Sequence, residues 1–284
     1  MNLRQILRIK KDPMMQFARH LTLAFLPLLA ACEPIGVPSS NVDGNIKLTA
    51  NQKVSIGRKI WQNECSGTVE GLTTWNVGEE FPSIGIGHFI WYPAGFDGRF
   101  RESWPQFLAY AKARNASPPT FTHGPCPWNN KADFERDFNG ERLSELRRWL
   151  MTHLRLQTDF IIDRSLAALP EVLAAAPASE RERIKANYHK VASTPQGVYA
   201  LIDYVNFKGN GTLKSERYKG KGWGLMQVLG HMNPVPEGPA AAQEFGASAF
   251  RMLERRIANS PPERGEQRWR NGWRNRCLTY GKPL

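Results

Sequence analysis

Residues 68–92 constrain the fold more than any other part of the sequence, because here the pattern changes from helical to strand-forming. The stretch TVEGLTTWNVGEEFPSIGIGHFIWY is rich in β-branched and aromatic residues and is interrupted at Gly71, Gly78 and Pro82. Such a composition is typical of short strands joined by turns. After about residue 102 the apolar residues have helical spacing. The sequence therefore predicts an α+β fold, mostly helical, with a small β-hairpin unit inserted early among the helices.

Capping signals and helical periodicity locate the predicted helices. Thr49 and Gln52 fit a capping box for a first helix that runs to about Glu64, and Gly67 suits a left-handed cap after it. Further helices are predicted near 103–113, 140–167, 179–192, 195–207, 222–232, 238–258 and 262–276.

The N-terminus has the pattern of an exported lipoprotein. A basic region precedes the apolar run 21–32, which is too short for a transmembrane helix and suits a signal peptide. The run ends in LAAC, which resembles a bacterial lipobox and implies cleavage before Cys32 and lipid attachment to it. We expect a lipoprotein signal peptide at 1–31, a polar tether at 32–46 and a folded domain at 47–284. An ordinary secretory signal with an incidental cysteine is the alternative.

The charge of the chain limits its partners. The formal net charge is +12, and removal of residues 1–31 takes away five basic and one acidic side chain, so the mature chain stays basic. A basic protein of the cell envelope favours anionic partners such as peptidoglycan and lipid headgroups. The basic and aromatic run RWRNGWRNR at 268–276 would fit a nucleic-acid patch, but export argues against nucleic acid as a partner. A helix that lays its arginines on anionic glycan or lipid is the better interpretation, and a solvated charged face is the alternative.

Three cysteines, Cys65, Cys126 and Cys277, remain in the expected domain. An oxidising periplasm permits one disulfide among them, and the sequence does not choose the pair. No CxxC or HExxH spacing occurs, so we expect no metal site and no other cofactor.

Two motifs resemble enzymes of the lysozyme-like superfamily. A helix ending at Glu64, followed by a hairpin and then SIGIGH at 83–88, resembles phage-type lysozymes, which carry a TIGIGH-like strand. The segment GWGLMQVL at 222–229 resembles the GLMQ motif of lytic transglycosylases. The resemblance implies a lysozyme-like domain that cleaves β-1,4 glycosidic bonds of peptidoglycan, as a muramidase or a lytic transglycosylase. With the lipobox and Glu33 after it, this implies a lipid-anchored protein on the periplasmic face of the outer membrane.

The resemblance also implies the catalytic residues. Glu64 corresponds to the general acid, and Glu70 is a rival because EGL at 70–72 resembles the phage pattern too. We prefer Glu64 because the first helix is expected to end there. A hydrolase needs a second carboxylate, for which Glu79 and Glu80 are the candidates. The phage aspartate aligns nearest to Asn76, which cannot act as a base.

A general acid must have a raised pKa, which apolar surroundings provide. Trp61, Trp75 and Phe81 are expected to supply these surroundings. Gly85 and Gly87 are expected to let the backbone line the cleft or pack closely against the catalytic helix end. The expected substrate-binding residues are Ser83, His88, Trp75, Asn206 and Gln227.

Two other functions fit the same sequence. One is a non-catalytic peptidoglycan-binding envelope lipoprotein that keeps the fold without the reaction, which the missing aspartate favours. The other is a glycosidase that acts on another amino-sugar polymer, such as chitin oligomers. Asp203 and Asn206, one turn apart on a predicted helix, are placed to face a cleft together; the alternative is a helix that ends at Gly209 with its polar residues in solvent.

Overall fold

The described part of the chain is mostly helical, with one small antiparallel sheet near its start. The computed structural model describes residues 48–98 and 100–284, all of which belong to the unit Ser40–Leu284. The predicted signal peptide, the lipidation site Cys32 and the tether lie outside the described residues. Mostly helical α+β architecture is therefore confirmed for the described residues.

Helix α1 (Ala50–Cys65) begins at the predicted capping box. Thr49 Oγ1 accepts a hydrogen bond from the Gln52 N–H at 3.2 Å, and Gln52 Oε1 accepts one from the Thr49 N–H at 2.8 Å. Ser66, with φ +54°, forms the left-handed C-cap, and Gly67, at φ +68°, continues in the same region. The helix therefore ends one residue after Glu64, close to the predicted position.

Three short strands follow and form a sheet of order β1-β2-β3. They are β1 (Thr73–Thr74), β2 (Ser83–Ile84) and β3 (Phe89–Ile90). The segment SIGIGH is expected to be one strand, but only its first two residues pair, and 85–88 form the turn between β2 and β3. Gly85 has φ +74° and His88 has φ +47°, so left-handed backbone conformations produce this reversal.

Ten further helices follow in the described residues. They are α2 (Trp104–Lys112), α3 (Lys131–Arg136), α4 (Glu141–Thr152), α5 (Leu154–Leu166), α6 (Ala168–Ala175), α7 (Arg181–Ala192), α8 (Pro195–Lys208), α9 (Leu225–Gly230), α10 (Pro239–Asn259) and α11 (Arg270–Thr279).

The predicted helix 140–167 is two helices, because the chain breaks at His153. The buried Gln157 side chain replaces the missing helical bonds there. Its Nε2 donates to the Leu150 carbonyl at 2.7 Å and to the His153 carbonyl at 3.3 Å. Leucine periodicity continues across the break, which explains why the sequence predicts a single helix.

Three other expectations need correction. Helix α6 is not predicted; Pro170 lies in its first turn, where proline is tolerated. Helix α3 is not predicted either. Helix α11 starts at Arg270 rather than near 262, because Gly265 has φ +56° and the buried Glu266 is held by Arg256, whose Nε and Nη2 each donate at 2.7 Å.

Helix α8 is the centre of the hydrophobic core. Residues 197–205 are buried along it without a break, as expected for a helix that is covered on all sides. It packs against α1, α5, α7, α9 and α10. Its C-terminal end, at Lys208, emerges beside the end of α1. None of the helices described has the length and apolar character needed to cross a bilayer.

The turn between β2 and β3 packs too closely for side chains. A Cβ atom on Gly85 would lie 2.4 Å from Gln157 Oε1, and one on Gly87 would lie 2.8 Å from Ile161 Cδ1 and 3.0 Å from Asn206 Oδ1. The Ile86 N–H between them donates to Gln157 Oε1 at 3.0 Å. The backbone does pack closely here, mainly against α5 and α8, and the end of α1 touches it through Cys65 Sγ, which lies 3.5 Å from the Gly85 carbonyl.

We expect Gly85→Ala to lower the free energy of unfolding by about 1–3 kcal/mol more than Gly95→Ala, because its methyl group must displace Gln157. Gly95 is a matched control, since it has φ +76° but no atom within 4 Å of the position that a methyl group would take. Urea unfolding of the two variants measures the difference. Equal losses would mean that the turn tolerates a side chain.

Candidate active site

Glu64 is surrounded by side chains from three distant parts of the chain. Its side chain is 12% exposed in the last turn of α1. Arg276 Nη2 of α11 donates to Glu64 Oε1 at 2.6 Å, and Asn206 Nδ2 of α8 donates to the same oxygen at 3.4 Å. His88 Nδ1, at the end of the glycine turn, lies 3.4 Å from Glu64 Oε2. The helix end, the hairpin and α8 therefore meet at this carboxylate.

Arg276 links Glu64 to a second carboxylate beneath it. Asp203 is fully buried and accepts from Arg276 Nε and Nη2, both at 2.8 Å. It also accepts from the Tyr280 hydroxyl at 2.7 Å and from Asn63 Nδ2 at 3.2 Å. Asp203 is expected to face the cleft with Asn206, but it lies in the core under Arg276 and has no solvent exposure. It therefore supports the guanidinium that holds Glu64.

The pKa of Glu64 is lowered, contrary to the expectation. Burial raises the pKa of Glu64, while the charge of Arg276 and then that of His88 lower it. The lowering effects prevail, so the net pKa lies below the ordinary value. Glu64 is therefore ionised in the resting protein at neutral pH.

The aromatic residues expected to raise this pKa make other contacts. Trp75 is buried, and its Nε1 donates to the Glu79 carbonyl at 2.8 Å. Phe81 packs edge-on against Tyr92 with ring centroids 5.3 Å apart. The Trp61 indole donates to the backbone of the segment after α1. Trp75 thus fixes the loop that carries Glu79.

Glu79 is the second carboxylate of the site. It is half-buried, and Asn76 Nδ2 donates to its Oε2 at 3.0 Å. Burial raises its pKa, while the Asn76 hydrogen bond and the charge of Lys208 oppose the rise without cancelling it. The charge of Glu64 adds a smaller amount to the rise. Glu80, the other candidate, is exposed.

The remaining predicted residues divide into two groups. Of the expected binding residues, His88 and Asn206 contact Glu64. Ser83 is buried in β2. Gln227 uses its amide on backbone instead: its Oε1 accepts from the N–H of Gly224 and its Nε2 donates to the carbonyl of Gly211. It therefore fastens the segment after α8 onto the start of α9.

The rival acid Glu70 is exposed, at the start of a 3₁₀ turn (Glu70–Leu72). Within the described part of the chain, its carboxylate forms no hydrogen bond or ion pair with Arg276, His88 or Asn206, which all contact Glu64 instead. The polar neighbours that could tune a catalytic carboxylate are gathered around Glu64.

Two basic residues of the site are not apparent from the sequence. Arg276 lies in the basic run 268–276, whose pattern indicates a surface for anions rather than a buried ion pair. Lys208 has only the pattern of a polar residue near a helix end. Its Nζ lies 3.9 Å from the Phe207 ring centroid and 4.1 Å from that of Trp273. Burial, and then the charges of Arg256 and Arg276, hold its pKa well below the ordinary value.

The three cysteines of the domain are free and buried, so the permitted disulfide is not formed among the described residues. Burial raises the pKa of all three thiols, that of Cys126 and that of Cys277 to about 12. Protonated and buried thiols react slowly. We assign them to packing.

The two candidate carboxylates, Glu64 and Glu79, have pKa values that move in opposite directions. One is ionised beside Arg276, and the other keeps its proton to higher pH than an ordinary glutamate. Such a pair suits acid–base cleavage of a glycosidic bond. Comparison with protein families, curated proteins and solved structures found no match for this chain, so its function is inferred from the geometry of the site.

Proposed function

We propose that the domain cleaves β-1,4 glycosidic bonds in the glycan strands of peptidoglycan, with Glu64 as the central catalytic carboxylate. The observation that carries the proposal is the convergence of His88, Asn206 and Arg276 on a glutamate at a helix end. Its order along the chain, with SIGIGH after a hairpin, resembles lysozyme-like enzymes. The basic character of the chain suits an anionic polymer.

The directions of the two pKa values favour one division of labour. Glu79, with the raised pKa, donates a proton to the leaving oxygen. Glu64, ionised beside Arg276, faces the positive charge that develops on the sugar or activates the attacking water. Asn206 and His88 hold the Glu64 carboxylate in place for either task. This division corresponds to a hydrolase.

A lytic transglycosylase would use Glu64 alone, as the GLMQ resemblance suggests. Glu64 would then need to take up a proton before donating it, which its lowered pKa makes harder at neutral pH. Activity would rise as the pH falls toward that pKa. Glu79 would have no chemical role.

Replacing Glu79 with Gln separates these mechanisms, and Glu80→Gln is its matched control because Glu80 is adjacent and exposed. For a hydrolase, we expect Glu79→Gln to slow the clearing of purified sacculi by about 10²–10⁴-fold, the usual contribution of acid–base catalysis. Glu80→Gln should clear sacculi at the parent rate. If both variants match the parent, Glu79 is not a catalytic group.

Non-catalytic binding of peptidoglycan is the second candidate function. The ion pair between Glu64 and Arg276, and Asn76 in the place of the phage aspartate, favour it. Sedimentation of the protein with sacculi, without release of soluble fragments, would support this function. Cleavage of chitin oligomers but not of sacculi would instead support a glycosidase for another amino-sugar polymer.

The proposal also places the protein in the cell envelope, attached through Cys32. We expect Cys32→Ser to move the full-length protein from the membrane fraction to the soluble fraction, because the acyl chains can no longer be added. Fractionation of expressing cells followed by immunoblotting measures this. A variant that stays with membranes as the parent does would contradict lipid attachment at Cys32.

A further inference from the structure

Arg164, on α5, is a charged group beside the site without a matching charge. Its Nη2 lies 3.5 Å from Asn206 Oδ1, at the limit of a hydrogen bond. Among the described residues no carboxylate oxygen lies within 4.0 Å of its guanidinium. Asn206 in turn contacts Glu64, so a single side chain separates this guanidinium from the catalytic carboxylate.

A nearby carboxylate is already occupied by other partners. Glu171, on α6, accepts from Arg101 Nη2 at 3.2 Å, from Asn210 Nδ2 at 2.9 Å and from Thr212 Oγ1 at 3.0 Å. These contacts tie the segment after α8 and the loop before α2 to α6. Arg101 then adds a second positive charge near Arg164. Glu171 is therefore committed to Arg101, Asn210 and Thr212 and does not pair with Arg164.

Burial of the Arg164 guanidinium without a bound anion is energetically unfavourable, because the charge loses part of its hydration. The guanidinium is partly buried, and burial and then the charge of Arg101 lower its pKa to about 10, so it is still charged at neutral pH. An arginine has five N–H donors, and only one has an acceptor here. The unpaired nitrogens of Arg164 are not sealed from solvent, in contrast to the Nη2 of Arg147. These nitrogens therefore keep contact with solvent, from which a ligand can approach.

We propose that Arg164 binds a carboxylate carried by the substrate, next to the bond that Glu64 acts on. A guanidinium fork matches a carboxylate with two parallel hydrogen bonds, and a charged pair in a partly buried site is stronger than one in water. This inference rests on the proposed function and names its substrate class: glycan strands that carry carboxylates. Two sources offer this group, the peptide stems and the lactyl ether of a strand without peptides.

The experiment compares two substrates that differ in carboxylate charge, and a third that lacks the peptides altogether. Four proteins are compared: the parent, Arg164→Gln, Arg164→Lys and Arg155→Gln. Each digests intact sacculi, sacculi whose carboxyl groups have been converted to amides, and glycan strands freed of peptides by an amidase. Arg155 is the matched control, because it is on the same helix but is 84% exposed and only loosely paired with Asp159. The readout is the ratio of cleavage rates on intact and amidated sacculi, which a general loss of stability does not change.

We expect the parent to prefer intact over amidated sacculi by at least about tenfold, the size of a hydrogen bond to a charged group. Arg164→Gln should reduce this ratio to near one, Arg164→Lys should keep part of it, and Arg155→Gln should keep all of it. The lactyl carboxyl of intact sacculi is held in the amide bond to the peptide, so slower cleavage of peptide-free strands by Arg164→Gln than by the parent assigns the lactyl carboxylate as a ligand too. Equal rates on these strands assign the peptide carboxylates alone. A parent that cleaves intact and amidated sacculi equally overturns the inference but leaves the proposed function standing. A parent that cleaves none of the three substrates overturns the proposed function, and the inference with it.

Discussion

Replacing Glu64 with Gln is expected to reduce the release of fragments from sacculi by at least about 10²–10⁴-fold, because the amide can neither donate a proton nor carry the negative charge. The expectation holds whether Glu64 acts as the acid or as the charged partner of Glu79. Gln keeps the shape and can still accept a hydrogen bond from Arg276. The fold and the affinity for sacculi should therefore persist, which circular dichroism and sedimentation with sacculi can check.

Glu70→Gln is the matched control for this experiment. Glu70 lies six residues after Glu64, is exposed, and is the rival candidate for the acid from the sequence pattern. The Glu70→Gln variant should release fragments at the parent rate. An active Glu64→Gln together with an inactive Glu70→Gln would move the catalytic site to the 3₁₀ turn.

The second large effect concerns stability. Arg276→Met removes the guanidinium that binds both Glu64 and the fully buried Asp203, and leaves Asp203 with only its hydrogen bonds from Tyr280 and Asn63. Breaking a buried ion pair from one side commonly costs about 3–5 kcal/mol, because the remaining charge is desolvated. We expect a loss of that size in the free energy of unfolding at pH 7, measured by urea denaturation.

Arg270→Met, on the same helix, is the control for Arg276→Met. Arg270 pairs with Glu254 in a half-exposed position, where an ion pair contributes about 0–1 kcal/mol. Equal losses for the two variants would mean that the pair beneath Glu64 adds little. A partial recovery in the double variant Asp203→Asn, Arg276→Met would assign the cost to the stranded carboxylate.

Features set by neighbouring residues could be predicted from the sequence. The capping box at Thr49, the end of α1 beside Glu64 and the close packing of Gly85 all depend on local spacing or on the lack of a side chain. These features locate the helix end and the glycine turn that frame the candidate site. They do not determine what lies against the carboxylate.

The electrostatics of the site could not be predicted, because they depend on residues far apart in the chain. Arg276 lies 212 positions from Glu64 and reverses the expected direction of its pKa. The break between α4 and α5 depends on Gln157, whose side chain also holds the glycine turn. Trp75, expected to bind substrate, is instead a buried support for Glu79. No local sequence pattern predicts contacts between residues this far apart in the chain.

Mass spectrometry of the soluble products from purified sacculi tests the central claim most directly. The account predicts disaccharide–peptide fragments with reducing ends from the parent, and none above background from Glu64→Gln. Fragments with anhydro ends would keep Glu64 at the centre but assign it the transglycosylase reaction. Sacculi that bind the parent and yield no glycan fragments would contradict the claim that this domain cleaves peptidoglycan.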